Sequence, residues 1–295
     1  MNAIDVNRIN KFYGDGKKQQ QVLFDVSFTV QEGEAYGFIG ANGAGKSTSI
    51  KAILDVIRPA SGSINLFGTD SRAKGARNGV AFLPENAKLA ESLTPLETVK
   101  LGVMQHDVNV ADMNKHCMYW LERFRVDHAA NKLIRKLSKG MAQRTALAQC
   151  MACQPKLLIL DEPLSGLDPI GRREVVDIFA EYHRSGGTLF FTSHVLHDVE
   201  RLAERYALID KGRIKAVQSR DAMTHEAAEF IIEVASESGL QGYRQDSDDR
   251  FAKVVSYEQL FTELNQVERA NCRLLSVKPS LDLEKSFFAE VKTPV

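Results

Sequence analysis

Apolar and polar positions along this chain follow several distinct rhythms. Val22–Val30 and Ala35–Ile39 predict strands, and the second runs into Gly40-Ala41-Asn42-Gly43-Ala44-Gly45. A helix is expected from Lys46 to about Ile57, stopped by Pro59. Val80–Leu83, Leu157–Leu160, Thr188–Phe191 and Tyr206–Ile209 are short, uninterrupted apolar runs of the kind buried in parallel sheets. Residues 95–152 change period: apolar positions recur at helical spacing without a convincing strand, which predicts a helical insert in an α/β core. Further on, Phe230–Val234, Ala252–Val255 and Arg273–Val277 read as strands. They alternate with helical stretches near 257–268 and 281–290, as in a small α+β module.

Charge and glycine sharpen this division. The 295 residues hold 38 Lys+Arg and 38 Asp+Glu, yet residues 221–295 carry 14 acidic and 8 basic side chains. Residues 1–220 therefore hold 24 acidic against 30 basic, and 18 of the 20 glycines. A glycine-rich basic part followed by a glycine-poor acidic part predicts two domains, 1–220 and 221–295, with the boundary near 218–225. Zero net charge argues against a chain that coats nucleic acid. The four cysteines are too few and scattered for a disulfide framework, which fits a reducing compartment. No run approaches a membrane span, and Met1-Asn2-Ala3-Ile4-Asp5 lacks the features of a secretory signal, so a cytoplasmic chain is expected.

The strongest chemical signal is Gly40-Ala41-Asn42-Gly43-Ala44-Gly45-Lys46-Ser47, a complete match to G-x-x-x-x-G-K-S/T between a strand and a helix. Glycines let consecutive backbone N–H groups converge on phosphate oxygens, and the helix N-terminus adds partial positive charge. Lys46 is expected to reach the β- and γ-phosphates, and Ser47 to offer its hydroxyl to Mg²⁺. The second half of the site is Leu157-Leu158-Ile159-Leu160-Asp161-Glu162-Pro163. Its apolar strand delivers two carboxylates to the edge of the sheet where ligands bind. Asp161 is read as the metal's carboxylate, and Glu162, pointing elsewhere, as the group acting on the attacking water.

With these motifs in order, the sequence resembles the ATP-binding cassette (ABC) ATPases, over about residues 3–217. Leu137-Ser138-Lys139-Gly140-Met141-Ala142-Gln143-Arg144 resembles the family's signature motif, and Ser165-Gly166-Leu167-Asp168 its D-loop. His194 follows the strand Leu189–Thr192 as the switch histidine does, and Tyr13 matches the aromatic that stacks on adenine. Glu85, in Phe82-Leu83-Pro84-Glu85-Asn86, stands where the Q-loop usually has glutamine. Lys139 and Met141 depart from the commonest signature, L-S-G-G-Q.

The resemblance implies a P-loop NTPase of the ABC ATPase type: a RecA-like α/β core, an antiparallel β subdomain, a helical subdomain of about 86–152, and a small α+β C-terminal domain. It also implies catalytic roles for Glu162, His194 and Lys46. Nucleotide contacts are implied for Tyr13, Gly40, Asn42, Gly43, Ala44, Gly45, Lys46, Ser47, Thr48, Glu85, Ser138, Gly140 and Asp168. Metal contacts are implied for Ser47, Glu85 and Asp161. ATP and Mg²⁺ would lie between two copies of the chain, with Ser138 and Gly140 of one facing the γ-phosphate on the other. An aspartate such as Asp168 either reaches across that dimer or caps the next helix.

The departures, together with Ser280-Leu281-Asp282-Leu283-Glu284-Lys285-Ser286-Phe287-Phe288, resemble single-cassette ATPases that serve ABC-2-type exporters. Implied partners are a transmembrane permease on a separate chain and a second copy, with no direct nucleic acid. The protein would be peripheral on the cytoplasmic face of the membrane. The alternative from another class is a soluble ABC ATPase acting on nucleic acid or ribosomes; such chains generally carry two cassettes, coiled coils or zinc modules, none of which is evident here.

Other features read as bland. Cys150-Met151-Ala152-Cys153 lies in an expected helix, Met141–Cys153, as small buried apolar residues. His106, His116 and His128 lack ligand spacing. Leu89, Leu93, Leu96 and Val99 either form a docking groove for the permease or pack inside the insert.

Overall fold

In the computed structural model, residues 1–14, 19–195, 199, 201–219, 229–236, 240, 242–247, 249–270 and 272–279 are described. The chain divides into two compact units, Met1–Val217 and Gln218–Val295.

The first unit runs β1 (Asn2–Tyr13), β2 (Gln20–Gln31), β3 (Ala35–Ile39), α1 (Lys46–Ile53), β4 (Ser61–Leu66), β5 (Thr69–Asp70) and β6 (Val80–Leu83). It continues with α2 (Pro95–Gln105), α3 (Met113–Arg123), α4 (Lys139–Ala152), β7 (Leu157–Leu160), α5 (Pro169–Arg184), β8 (Thr188–Ser193), β9 (Arg205–Asp210) and β10 (Arg213–Ser219). β2-β1-β4-β5 form an antiparallel sheet. A six-stranded sheet has the order β10-β9-β3-β8-β7-β6, with β9 through β6 paired in parallel. Each of the expected buried strands lies in it, and every residue of β3, β7 and β8 is buried, as their continuous apolar runs require.

One core joins the two sheets. Ile4, Val6 and Ile9 of β1, and Leu23, Val26 and Phe28 of β2, pack with Phe38, Ile159 and Phe190 of the parallel sheet and Ile50 and Ile53 of α1. Phe28 stacks on Tyr36 with ring centroids 5.8 Å apart, which fixes the antiparallel sheet over the strand that leads into the phosphate loop. The helical insert is as expected a set of helices: Thr94 and Glu97 close a capping box on α2, Asp112 caps α3 and Ser138 caps α4. Val99 is fully buried inside it, so this member of the groove quartet belongs to the core, while Leu89, Leu93 and Leu96 are half-buried.

Several elements depart from expectation. α1 ends at Ile53, not Ile57, because Leu54 leaves helical geometry and Asp55 turns into the left-handed region (φ 55°) well before Pro59. α4 begins at Lys139, two residues before the expected Met141, since Ser138 is the cap. β1, β4, β5 and β10 are additional to the strands that the apolar runs predict, and α5 is the helix that Asp168 caps. β1 mixes polar and apolar positions through repeated register shifts, which blurs its period of two.

The second unit holds β11 (Glu229–Ala235), β12 (Arg244–Ser247), β13 (Arg250–Ser256), α6 (Tyr257–Arg269) and β14 (Arg273–Pro279). Its strands form an antiparallel sheet in the order β12-β13-β11-β14. Ile232, Val234 and Val255 pack against Leu260 and Val267 of α6. Ser256 caps that helix by accepting from the Gln259 N–H. This is the expected α+β module, apart from the additional β12. The Ser280–Phe288 segment and the helix expected near 281–290 lie outside the described residues.

Candidate functional site

The phosphate loop connects β3 to α1 and requires glycine at two positions for different reasons. Gly45 has φ 112°, a conformation that other residues adopt only under strain. A Cβ on Gly40 would lie 2.4 Å from the Ile209 carbonyl oxygen, so the loop could not pass under β9 with any side chain there. Lys46, only 6% exposed, folds back over this loop. Its Nζ donates to the Gly40 carbonyl at 2.6 Å and lies 3.1 Å from Glu162 Oε1.

Glu162 stands at the centre of the site. It follows β7, is buried, and has φ 50°, an unusual left-handed setting for a non-glycine residue that costs ~1–3 kcal/mol. That turn separates its side chain from that of Asp161. Oε1 faces Lys46, and Oε2 meets His194 Nδ1 at 2.8 Å. His194 is half-exposed at the end of β8, so it can respond to a ligand while touching the carboxylate. Asp161 is buried beside it and accepts from Thr192 Oγ1 at 2.7 Å.

A cavity of about 310 Å³ is lined by Val22, Asn42, Gly43, Gly45, Lys46, Ser47, Thr48, Glu85 and Glu162, together with Ala41. The structure thus brings most of the expected phosphate-loop residues together with Glu85 and Glu162. Ala44 is buried behind the loop, where its carbonyl accepts from the Gly212 N–H. Tyr13 does not line this cavity. It ends β1, partly exposed, with Lys11 Nζ 5.3 Å from its ring centre. Ser138, Gly140 and Asp168 do not line it either. Ser138 Oγ accepts from the Met141 N–H, and Asp168 Oδ1 accepts from the Gly171 N–H as the cap of α5. In this single chain Asp168 therefore does the capping job that its position also allowed.

The oxygen donors fit a hard cation. A serine hydroxyl and one or two carboxylates, supplemented by phosphate oxygens, are what Mg²⁺ takes at nucleotide sites. Among the described residues no cluster of three or more His, Cys, Asp or Glu could hold a metal without such a ligand.

The ABC transporter family profile matches residues 23–165. The chain is 30% identical to the Nod factor export ATP-binding protein I of Rhizobium etli, over 96% of this chain and 92% of that protein. The chain belongs to the ABC transporter ATP-binding proteins. An ATP-binding subunit of an ABC transporter, 28% identical, superposes with a TM-score of 0.68 over 89% of this chain and 99% of its own. A dimeric ATP-binding cassette bound to ADP and Pi, 21% identical, shares the fold with a TM-score of 0.69 over 74% and 98% of the two chains. This ABC protein is accordingly a transporter ATPase with the α/β P-loop fold. Among its described residues no helix is long and apolar enough to cross a membrane.

Two structural links of this cassette escaped the sequence. Gln143 Nε2, buried, donates to the Pro163 carbonyl at 3.1 Å, joining α4 to the segment after Glu162. Arg144 lies one residue further along the same helix. It donates to the Phe124 carbonyl at 3.2 Å and to Glu174 Oε2 at 2.8 Å, tying α4 to the end of α3 and to α5. Both sit in the quoted signature, but their partners are distant in sequence and no local pattern reveals them.

Cys150 and Cys153 are buried, as expected of small packing residues. Burial pushes both thiols up to about 12. At pH 8 only about one in ten thousand of either thiol is ionised, and the thiolate is the reactive form. Brief treatment of the native protein with iodoacetamide is expected to label Cys272, the half-exposed thiol, and to spare Cys117, Cys150 and Cys153. Peptide mass spectrometry reads this directly; rapid labelling of Cys153 would contradict it. His116 likewise serves packing, with Nε2 2.8 Å from the Ala152 carbonyl.

Proposed function

We propose that this chain powers an exporter, as one of two identical ATPase subunits that close on two Mg·ATP and drive a separate transmembrane permease. The observation that carries the reading is the convergence on one cavity of the phosphate loop, Glu85 and a buried Glu162 already in contact with Lys46 and His194. Family membership and the 92% coverage of a Nod factor export protein support an exporter role. A cassette of the same fold that is dimeric with ADP and Pi supports the two-copy arrangement. In this reading the protein is peripheral to the cytoplasmic face of the membrane and holds no nucleic acid.

Each residue then has a task. The N–H groups from Asn42 to Thr48 cradle the phosphates, and Lys46 exchanges the Gly40 carbonyl and Glu162 for phosphate oxygens. Ser47, Asp161 and Glu85 hold Mg²⁺, which when bound neutralises charge developing on the transferred phosphoryl group. Glu162, freed from Lys46, orients and deprotonates the attacking water. His194 holds the other Glu162 oxygen and contacts the γ-phosphate, so its setting changes when that phosphate leaves. Tyr13 stacks on the adenine. Ser138 and Gly140, at the capped start of α4, complete the site on the opposite chain as a second helix N-terminus, and Asp168 lies alongside it. Residues 1–220 form the nucleotide-binding domain and 221–295 an accessory domain.

Affinity purification from detergent-solubilised membranes tests the role. The expected result is recovery with one multi-span membrane protein and ATPase activity. Recovery only from the soluble fraction, with RNA, would overturn it in favour of the nucleic-acid class.

A further inference from the structure

A hydroxyl outside every recognised motif joins the Asp161 carboxylate to the backbone of Glu162. Thr192 sits near the end of β8, fully buried, two residues before His194. β7 and β8 pair in parallel with Leu160 opposite Phe191, which places Thr192 beside the point where the chain leaves β7. Its Oγ1 donates to Asp161 Oδ1 at 2.7 Å and accepts from the Glu162 N–H at 2.8 Å. A threonine hydroxyl has one proton and two lone pairs, so both bonds form at once. One atom thereby occupies one oxygen of Asp161 and anchors the backbone of Glu162 at its left-handed turn.

We propose that Thr192 is a positioning residue for ATP hydrolysis, setting Asp161 and Glu162 at fixed angles to each other through its hydroxyl. The proposal rests on the reading of Asp161 as metal-holding and Glu162 as the base. The hydroxyl commits Asp161 Oδ1, and so directs the remaining oxygen of that carboxylate to the cation. It also stabilises the unusual φ of Glu162, which carries the side chain away from Asp161 and toward Lys46 and His194. Without it a buried oxygen and a buried N–H lose their partner, and the cheapest response is rotation of Asp161 and relaxation of Glu162 toward ordinary backbone angles. A displacement of the catalytic group by about 1 Å is enough to cost ~10²-fold in rate.

The test compares Thr192→Val, which keeps the shape and removes the hydroxyl, with Thr192→Ser, which keeps the hydroxyl. Thr192→Val is expected to lower kcat ~10–100-fold with KM for ATP within ~3-fold, whereas Thr192→Ser stays within ~3-fold of the wild type. Fluorescent ATP analogue binding supplies a readout independent of turnover. Without Mg²⁺ all three proteins bind alike; the gain in affinity on adding Mg²⁺ shrinks in Thr192→Val alone. Wild-type turnover in Thr192→Val, or an equal loss in Thr192→Ser, overturns the proposal. Should Thr192→Val not fold, Thr192→Cys, a weaker donor of similar size, takes its place with kcat expected well below that of Thr192→Ser. Glu162→Gln and Asp161→Asn run in parallel separate the two readings. If they retain turnover, the underlying assignment fails; if they lose it while Thr192→Val does not, only the role of Thr192 fails.

Discussion

Replacing Glu162 with glutamine lowers ATP hydrolysis ~10²–10⁴-fold and leaves ATP binding intact or tighter. The size of the loss follows from chemistry: an amide has no basic oxygen to take a proton from water. The preserved binding follows from geometry. Glu162 Oε1 holds Lys46 Nζ at 3.1 Å, so the carboxylate competes with phosphate for the ammonium and adds negative charge to a site that must receive more. Glutamine removes both effects while keeping shape, and it can still meet His194. Steady-state phosphate release and equilibrium nucleotide binding check the two halves separately. Turnover near that of the wild type would move the general base to another residue.

Lys46→Ala has the opposite signature. The lost ammonium takes with it a charge-assisted contact to phosphate, so ATP affinity falls ~10–100-fold. It also leaves Glu162 Oε1 without its counter-charge and the Gly40 carbonyl without its 2.6 Å donor. Stability of the free protein is therefore expected to drop as well, since a buried carboxylate loses its partner. Thermal unfolding with and without nucleotide separates these effects. Ligand at 100 times Kd stabilises the wild type by about 2.7 kcal/mol, and the same concentration raises the melting temperature of Lys46→Ala much less. An unchanged ATP affinity would contradict the role given to Lys46.

The contrast between these variants shows what could be read from the sequence. The phosphate loop and the Asp161–Glu162 pair were legible because their chemistry is local: glycines, a lysine and a serine at fixed offsets, and four apolar residues delivering two carboxylates. The buried parallel strands were legible for the same reason. What joins those pieces was not. The Lys46–Glu162 ion pair, the Thr192 hydroxyl between the Asp161 carboxylate and the Glu162 N–H, and the Gln143–Pro163 bond each link residues distant in sequence that only the tertiary fold brings together. Asp168 and Pro169 mark the start of α5 in the sequence as its cap and first residue. Pro59 is the conspicuous helix stop in the sequence, whereas the actual break of α1 is a left-handed turn at Asp55.

In the proposed dimer each ATP site is built from the phosphate loop of one chain and the start of α4 of another. Mixing two inactive variants tests it most directly. Lys46→Ala retains its own Ser138, and Ser138→Arg, which blocks the helix start, retains its own phosphate loop. Each alone is expected to hydrolyse almost no ATP. If the sites are shared, random pairing makes half the dimers mixed, each with one intact site, and recovers about a quarter of wild-type activity. A mixture no more active than the average of its two components would contradict the shared site.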